Sequence, residues 1–272
     1  MLEAEYRAAR AGAILLDRDA RGRVLVSGGD RRTFLHAMLT NDIAGLAPGR
    51  GCYAAYLTPQ GRMIADMRVL DIGDVLLLDL EEAFKDRVLE QLDRFVFAED
   101  VALGDVSSTI SEIGVHGPAA AHLVRAALEE AGVNVPGDID ALPEYSSLRS
   151  TLQGEPLIVA ASRDFADSGF DIYTGAGVAE PLAGALLQAG AVKASPETSE
   201  VLRVERGRPL FGRDMDEETI PLEAGIEQRS VSFTKGCYPG QEVVARNQYR
   251  GTLKRRTYLM TCDSPVAAGA EV

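Results

Sequence analysis

The residue types best suited to chemistry in this 272-residue chain lie in one octapeptide, KGCYPGQE at positions 235–242. Cys237 stands beside Lys235 and just before a predicted helix start at Pro239, and a cation or a helix N-terminus lowers the pKa of a thiol. The flanking glycines allow main-chain N–H groups to approach a ligand closely. Two interpretations of Cys237 stay open: a small buried hydrophobic side chain, or a reactive thiol assisted by Lys235.

A cluster of cations follows the octapeptide. Arg246 and Arg250 are four residues apart and would share one face of a helix, with further basic residues at 254–256. The cluster is either a solvated basic face or an anion site. Because the formal net charge of the chain is −13, broad nucleic-acid binding is not expected, and an acidic small molecule suits an anion site better.

Composition excludes several other classes. The chain contains no apolar run of the ~20 residues needed to span a bilayer, and its N-terminus lacks the pattern of a signal peptide. Cys52, Cys237 and Cys262 are widely spaced, which favours reduced thiols in the cytoplasm. Neither a CxxC pair nor a His/Cys cluster is present, so no metal site is predicted.

The elements that must position these residues form an α+β pattern. Positions 1–106 and 107–194 each run strand, helix, two or three strands, helix, which indicates a repeated unit with mixed or antiparallel sheets. A segment at 195–252 carries the octapeptide, and 253–272 opens with a predicted strand at 253–262. No nucleotide-binding glycine motif follows a strand.

Six stretches carry a resemblance to one family: 34–43, 48–53, 60–66, 202–205, 220–225 and 235–251. In this order they resemble the YgfZ-type branch of the glycine-cleavage T-protein (aminomethyltransferase) superfamily, for which KGCYxGQE is a signature. The resemblance implies ferredoxin-like units around a central tetrahydrofolate-binding hole, followed by a C-terminal β-barrel. Only its start, at 253–272, would be present, so the barrel is expected to be mostly absent from this chain.

The implied role is that of a cytoplasmic accessory protein in iron–sulfur cluster assembly or repair, affecting iron–sulfur enzymes that include tRNA-modifying ones. Its partners would be folate and iron–sulfur enzymes or assembly factors, without direct contact to nucleic acid or membrane. A conventional enzyme is therefore not expected. The first alternative is a folate-dependent aminomethyltransferase or related one-carbon transferase, and the second is a non-catalytic scaffold.

The resemblance also implies a site. Tyr53, Asp66 and Glu205 would line the tetrahydrofolate hole, with Glu205 pairing with the pterin ring, and Arg246 and Arg250 would bind the glutamate tail. Asp66 falls near the acidic position that serves catalysis in aminomethyltransferases. Without the family, Tyr53 is a packing residue, Asp66 a solvent-facing strand residue and Glu205 a helix-surface residue.

Overall fold

Alternating apolar residues along the chain form the strands of two β-sheets in the computed structural model, which describes residues 2–134, 137–251, 253–267 and 269–270. The strands are β1 (Ile14–Asp17), β2 (Arg21–Ser27), β3 (Gly51–Leu57), β4 (Met63–Asp71), β5 (Leu76–Glu81), β6 (Ala102–Asp105), β7 (Ile110–His116), β8 (Ser147–Leu152), β9 (Glu155–Ala161), β10 (Gly169–Gly175) and β11 (Val192–Lys193).

The helices cover the outer faces of the sheets and complete the C-terminal segment. They are α1 (Leu2–Ala11), α2 (Arg31–Met38), α3 (Glu82–Asp93), α4 (Ala120–Glu130), α5 (Ala176–Gln188), α6 (Pro196–Glu205), α7 (Pro221–Ala224), α8 (Glu227–Ser230) and α9 (Gln241–Tyr249). Helix α6 begins at a capping residue, because the Ser195 hydroxyl accepts a hydrogen bond from the Thr198 amide at 3.4 Å.

The first sheet is antiparallel throughout and has the strand order β3-β4-β5-β2-β6. Leu35 of α2 and Val88 and Leu92 of α3 are buried in the core on one face of this sheet. Burying an aliphatic side chain of this size contributes about 1.5–3 kcal/mol, so these contacts fix both helices on the sheet.

The second sheet has the order β11-β1-β7-β10-β9-β8 and is mixed, because β1 pairs in parallel with β11 and antiparallel with β7. Helices α4 and α5 share its core, with Val124, Leu182 and Leu186 buried there. The predicted unit at 1–106 therefore does not match one sheet. Strand β1 comes from the N-terminal region but completes the sheet formed by the following unit.

The predicted strand at 253–262 is wrong for the residues that the structure describes. Residues 253–262 carry no strand pairing, and Tyr258, Leu259 and Met260 are exposed. An extended segment becomes a strand only when a neighbouring strand pairs with its backbone groups. Here the Thr257 amide donates to the Glu223 carbonyl oxygen at 2.8 Å, but no strand pairs with the segment among the described residues. The described part of the chain contains two sheets and no closed barrel, which confirms the predicted α+β class with mixed and antiparallel sheets.

Candidate functional site

A cavity of about 230 Å³ opens between the two sheets. Side chains from both sheets and from the C-terminal segment line it, among them Arg18, Tyr53, Asp66, Arg68, Glu200 and Arg229. Two of these, Asp66 and Arg68, alternate along β4 and therefore point to the same side of the first sheet. The cavity therefore lies on this face of the first sheet.

Tyr53 and Asp66 lie together in this cavity. Strand β3 pairs with β4, and the Tyr53 hydroxyl donates a hydrogen bond to Asp66 Oδ2 at 2.5 Å. Burial raises the pKa of Asp66 to about 6, against the hydrogen bond from Tyr53 and the charge of Arg21, which lower it. A buried carboxyl group that titrates near neutral pH in a cavity suits a general acid or base. Asp66 is 9% exposed and is not a solvent-facing residue.

A buried network of charges forms the wall behind Asp66 and joins the two sheets. Arg68 pairs with Asp79 of the first sheet and with Glu112 and Asp171 of the second. Arg18 adds bonds to Glu112 at 2.6 Å and to Asp171 at 3.2 Å. Burial, together with repulsion from Asp79, raises the pKa of Glu112 to about 7. The network fixes the two sheets relative to each other and thus sets the shape of the cavity.

Aromatic rings and one further cation complete the lining. The rings of Tyr53 and Tyr145 are nearly parallel, with centroids 6.5 Å apart and planes inclined by 14°. The guanidinium carbon of Arg229, on α8, lies 4.7 Å from the Tyr53 ring centroid. The site residues predicted from the sequence do not include Arg229, Arg18, Arg68 or Glu200. For Arg68 a signal existed, since a charged residue two positions after Asp66 in an apolar strand belongs to the same face.

Glu205 lies outside the cavity, contrary to expectation. It accepts hydrogen bonds from the Tyr6 hydroxyl at 2.9 Å and from Arg10 at 2.5 Å on the outer surface. Arg203 and Glu200 of the same helix line the cavity instead. An α-helix turns by about 100° per residue, so Glu205 is rotated by about 200° from Arg203 and points away.

Lys235 binds backbone carbonyl groups at the end of α2. Its ammonium group donates hydrogen bonds to the carbonyl oxygens of His36, of Leu39 at 2.6 Å and of Asn41 at 3.2 Å. Burial lowers the pKa of Lys235 to about 8. Carbonyl groups at a helix C-terminus lack intrahelical partners, so this side chain caps α2 across a long stretch of sequence. Cys237 is exposed, which excludes the small buried hydrophobic side chain; its reactivity remains a prediction.

Gly240 holds the octapeptide against the turn at 58–61. It has φ of 81°, and a Cβ atom at this position would lie 2.6 Å from the carbonyl oxygen of Thr58. Only glycine accepts both conditions without a shift of the backbone. Helix α9 begins directly after it, close to the predicted start. Tyr238 is buried beneath the same segment, so much of the octapeptide serves to attach the C-terminal segment to the first sheet.

Arg246 and Arg250 are exposed on α9 and at its C-terminal end. Neither lines the cavity between the sheets, so the structure does not bring them together with Tyr53 and Asp66. Within the described ranges, no group of three or more His, Cys, Asp or Glu side chains could hold a metal ion. In the same ranges, none of the helices combines the length and apolar character needed to cross a membrane.

Comparisons with known proteins agree with this architecture. The profile of the GCVT N-terminal domain matches residues 1–235. An aminomethyltransferase of Rubrobacter xylanophilus is 30% identical over 254 residues, covering 93% of this chain and 66% of the relative. One from Pelodictyon phaeoclathratiforme is 30% identical over 271 residues, covering 97% of this chain and 71% of the relative.

The fold agrees with that of a solved structure. The crystal structure of glycine cleavage system aminomethyltransferase T from Bartonella henselae superposes with a TM-score of 0.80 at 22% identity, covering 92% of this chain and 67% of that one. For three curated relatives the chain spans only 59%, 66% and 64% of the relative's length. Since the family profile matches most of the sequence, the chain belongs to the GCVT N-terminal domain family of the aminomethyltransferase superfamily.

Proposed function

We propose that this chain binds a tetrahydrofolate-type pterin in the cavity between the sheets and takes part in folate-dependent transfer of an aminomethyl or related one-carbon group. The observation that carries the proposal is the Asp66 carboxyl group, which is buried in the cavity, bonded to the Tyr53 hydroxyl and raised in pKa by burial to about 6. Relatives that bear the name aminomethyltransferase support the same class of reaction.

The lining of the cavity suits a flat, polar ring. Tyr53 and Tyr145 offer aromatic faces, and Asp66 offers a carboxyl group that accepts or donates a hydrogen bond. The volume of about 230 Å³ is below the ~300–1,000 Å³ typical of whole-ligand sites, so the cavity would not enclose a whole folate. When bound, tetrahydrofolate would supply the nitrogen that accepts the one-carbon group.

Proton transfer would be carried out by Asp66, with Tyr53 positioning it. Asp66 can take up or release a proton near neutral pH. The hydrogen bond from the Tyr53 hydroxyl fixes the orientation of the Asp66 carboxyl group. The charge network of Arg18 and Arg68 holds the wall behind it in place. Asp66 is therefore the candidate catalytic group, and Tyr53 is its positioning residue.

The test uses Asp66→Asn. We expect formation of methylenetetrahydrofolate from an aminomethyl-lipoyl donor to fall by about 10²–10⁴-fold, the usual contribution of a general acid or base. Binding of 5-formyltetrahydrofolate, measured by calorimetry, should persist. Glu205→Gln, on the outer surface, is the matched control and should change neither measurement. Absence of folate binding to the wild-type chain would refute the proposal.

An accessory role in iron–sulfur cluster assembly or repair is the second candidate. The exposed thiol of Cys237, on a segment held by Lys235 and Gly240, is the observation that favours it. A deletion strain complemented with Cys237→Ala or with Asp66→Asn separates the two functions. Loss of iron–sulfur enzyme activity with Cys237→Ala alone would favour the accessory role. Loss of methylenetetrahydrofolate formation with Asp66→Asn alone would favour one-carbon transfer.

A further inference from the structure

Arg229 differs from the other arginines of the cavity because it lacks an anionic partner. Each of the others has a carboxylate oxygen at 3.2 Å or closer: Arg18, Arg21, Arg68, Arg203, Arg208 and Arg213. Within the described part of the chain, Arg229 forms no ion pair, and its Nη1 atom is buried without a hydrogen-bond partner. A buried donor left in this way costs free energy that a ligand could recover.

Two carboxylates act on Arg229 through their charge, and neither forms an ion pair with it within the described residues. The charges of Glu144 and Asp164 act on its guanidinium group. Glu144, however, accepts a hydrogen bond from Arg208 at 2.7 Å, and Asp164 lies 3.9 Å from the same arginine. The contact that Arg229 does make is with the face of Tyr53. Because Arg229 donates no side-chain hydrogen bond within the described residues, the guanidinium donors other than the enclosed Nη1 are available to a molecule in the cavity.

The position of Arg229 is fixed by the first sheet and its connecting loop. The Asn41 side-chain amide donates to the Arg229 carbonyl oxygen at 3.0 Å, and the Thr40 hydroxyl donates to the carbonyl oxygen of Ser230 at 2.6 Å. These bonds anchor α8 next to β3, and the guanidinium group rests on Tyr53. A site held in this way is preorganised, so little conformational entropy is lost on binding.

We propose that Arg229 binds a carboxylate group of the small molecule that occupies this cavity. A guanidinium group donates two parallel hydrogen bonds to a carboxylate. The single negative charge of a carboxylate would also balance the one positive charge of Arg229. Asp17, Asp66, Glu81 and Glu200 also line the cavity, and their charges disfavour a dianion such as phosphate. The inference rests on the site of the proposed function and adds the charge of its ligand.

The carboxylate could come from two sources with the same chemistry. One is the glutamate tail of a folate, and the other is a separate small acid of the amino-acid type that enters beside the pterin. The contact of Arg229 with Tyr53, whose hydroxyl binds Asp66, would place the carboxylate of a separate acid close to the candidate catalytic group.

The first experiment uses acetate as the probe and acetamide as its neutral isostere. NMR titration of the wild-type chain should show that acetate, and not acetamide, shifts the Nε–Hε resonance of Arg229. Arg229→Gln should weaken acetate binding by about ten- to hundredfold, as expected for loss of a hydrogen bond to a charged group. Arg213→Gln is the matched control, because Arg213 lines the same cavity but is paired with Glu200 at 3.2 Å, and should bind acetate within twofold of wild type.

The second experiment identifies the source. The affinity ratio of 5-formyltetrahydrofolate to 6-methyltetrahydropterin, which lacks the tail, is measured for wild type and Arg229→Gln. A ratio that falls about tenfold or more in the variant assigns Arg229 to the folate tail. An unchanged ratio, with acetate still binding to the folate-loaded chain, assigns it to a separate acid.

Equal shifts with acetate and acetamide, or an Arg229→Gln variant that binds acetate within twofold of wild type, would overturn the inference. The wild-type titration needs no variant, so the inference stays testable if Arg229→Gln fails to fold. Acetate binding without folate binding would refute the proposed function and leave this inference intact.

Discussion

Removal of the Tyr53 hydroxyl should raise the pKa of Asp66 and destabilise the chain in a pH-dependent manner. In the wild type, Tyr53 donates to Asp66 Oδ2 at 2.5 Å, and this bond lowers a pKa that burial has raised to about 6. Tyr53→Phe keeps the ring, including its contact with Arg229, and deletes only the donor.

The magnitude follows from the two charge states of Asp66. A hydrogen bond to a charged group contributes about 1.5–3 kcal/mol, and one between neutral groups about 0.5–1.5 kcal/mol. The difference of about 1–1.5 kcal/mol corresponds to about one pKa unit, because one unit equals 1.36 kcal/mol. The pKa of Asp66 should therefore rise from about 6 to roughly 7 in Tyr53→Phe.

The sign of the pH effect is fixed by linkage. Because the folded-state pKa of Asp66 lies above its ordinary value of 3.8, its contribution to stability decreases as the pH rises from 3.8 to about 6. In Tyr53→Phe the decrease continues to roughly pH 7. The loss of unfolding free energy should thus be larger at pH 8 than at pH 5 by about 1–1.5 kcal/mol.

Two measurements test this expectation. Carbon-13 NMR of the Asp66 carboxyl group gives its pKa, and urea denaturation at pH 5 and pH 8 gives the unfolding free energies. Tyr56→Phe is the control, because Tyr56 is buried on the same strand and its pKa is raised by burial alone. An unchanged Asp66 pKa in Tyr53→Phe, or equal destabilisation at both pH values, would refute the reasoning.

The remaining predictions concern stability and are measured by urea denaturation. Arg68→Met leaves three buried carboxylates without their central cation and should lower the unfolding free energy by about 3–5 kcal/mol, whereas Arg94→Met, on the surface, should change it by less than about 0.5 kcal/mol. Similar losses in both variants would show that the network does not stabilise the fold. Gly240→Ala should cost about 1–3 kcal/mol more than Gly225→Ala, since both have positive φ but only Gly240 approaches the Thr58 carbonyl. Equal costs would exclude that contact as the reason for glycine.

Local sequence patterns predicted many strands and helices correctly. The pattern of strands and helices along 1–194 and the helix start near Pro239 were predicted, because apolar alternation and helix-start residues act over a few neighbours. The same reasoning produced a strand at 253–262 that the structure does not contain, since strand formation needs a pairing partner that apolar alternation cannot specify.

The candidate site, too, was only partly predictable from local sequence patterns. The site residues predicted from the sequence include Tyr53 and Asp66, which the structure joins by a hydrogen bond. Glu205 was predicted to line the folate-binding hole. The orientation of α6 about its axis decides which of its side chains face the cavity, and these are Glu200 and Arg203. Arg229 gave no signal at all, because it lies on a four-residue helix without a periodic pattern.

The sequence by itself determined the family resemblance, the α+β pattern and the octapeptide, whereas the exposure of Cys237 came from the structure. Tertiary structure alone decided what the octapeptide does: Lys235 caps a helix about two hundred positions earlier in the chain, and Gly240 docks on the turn at 58–61. It also decided which of many arginines remains unpaired in the cavity. The reason is physical, because ion pairing and burial depend on distances between residues far apart in sequence, which local patterns do not encode.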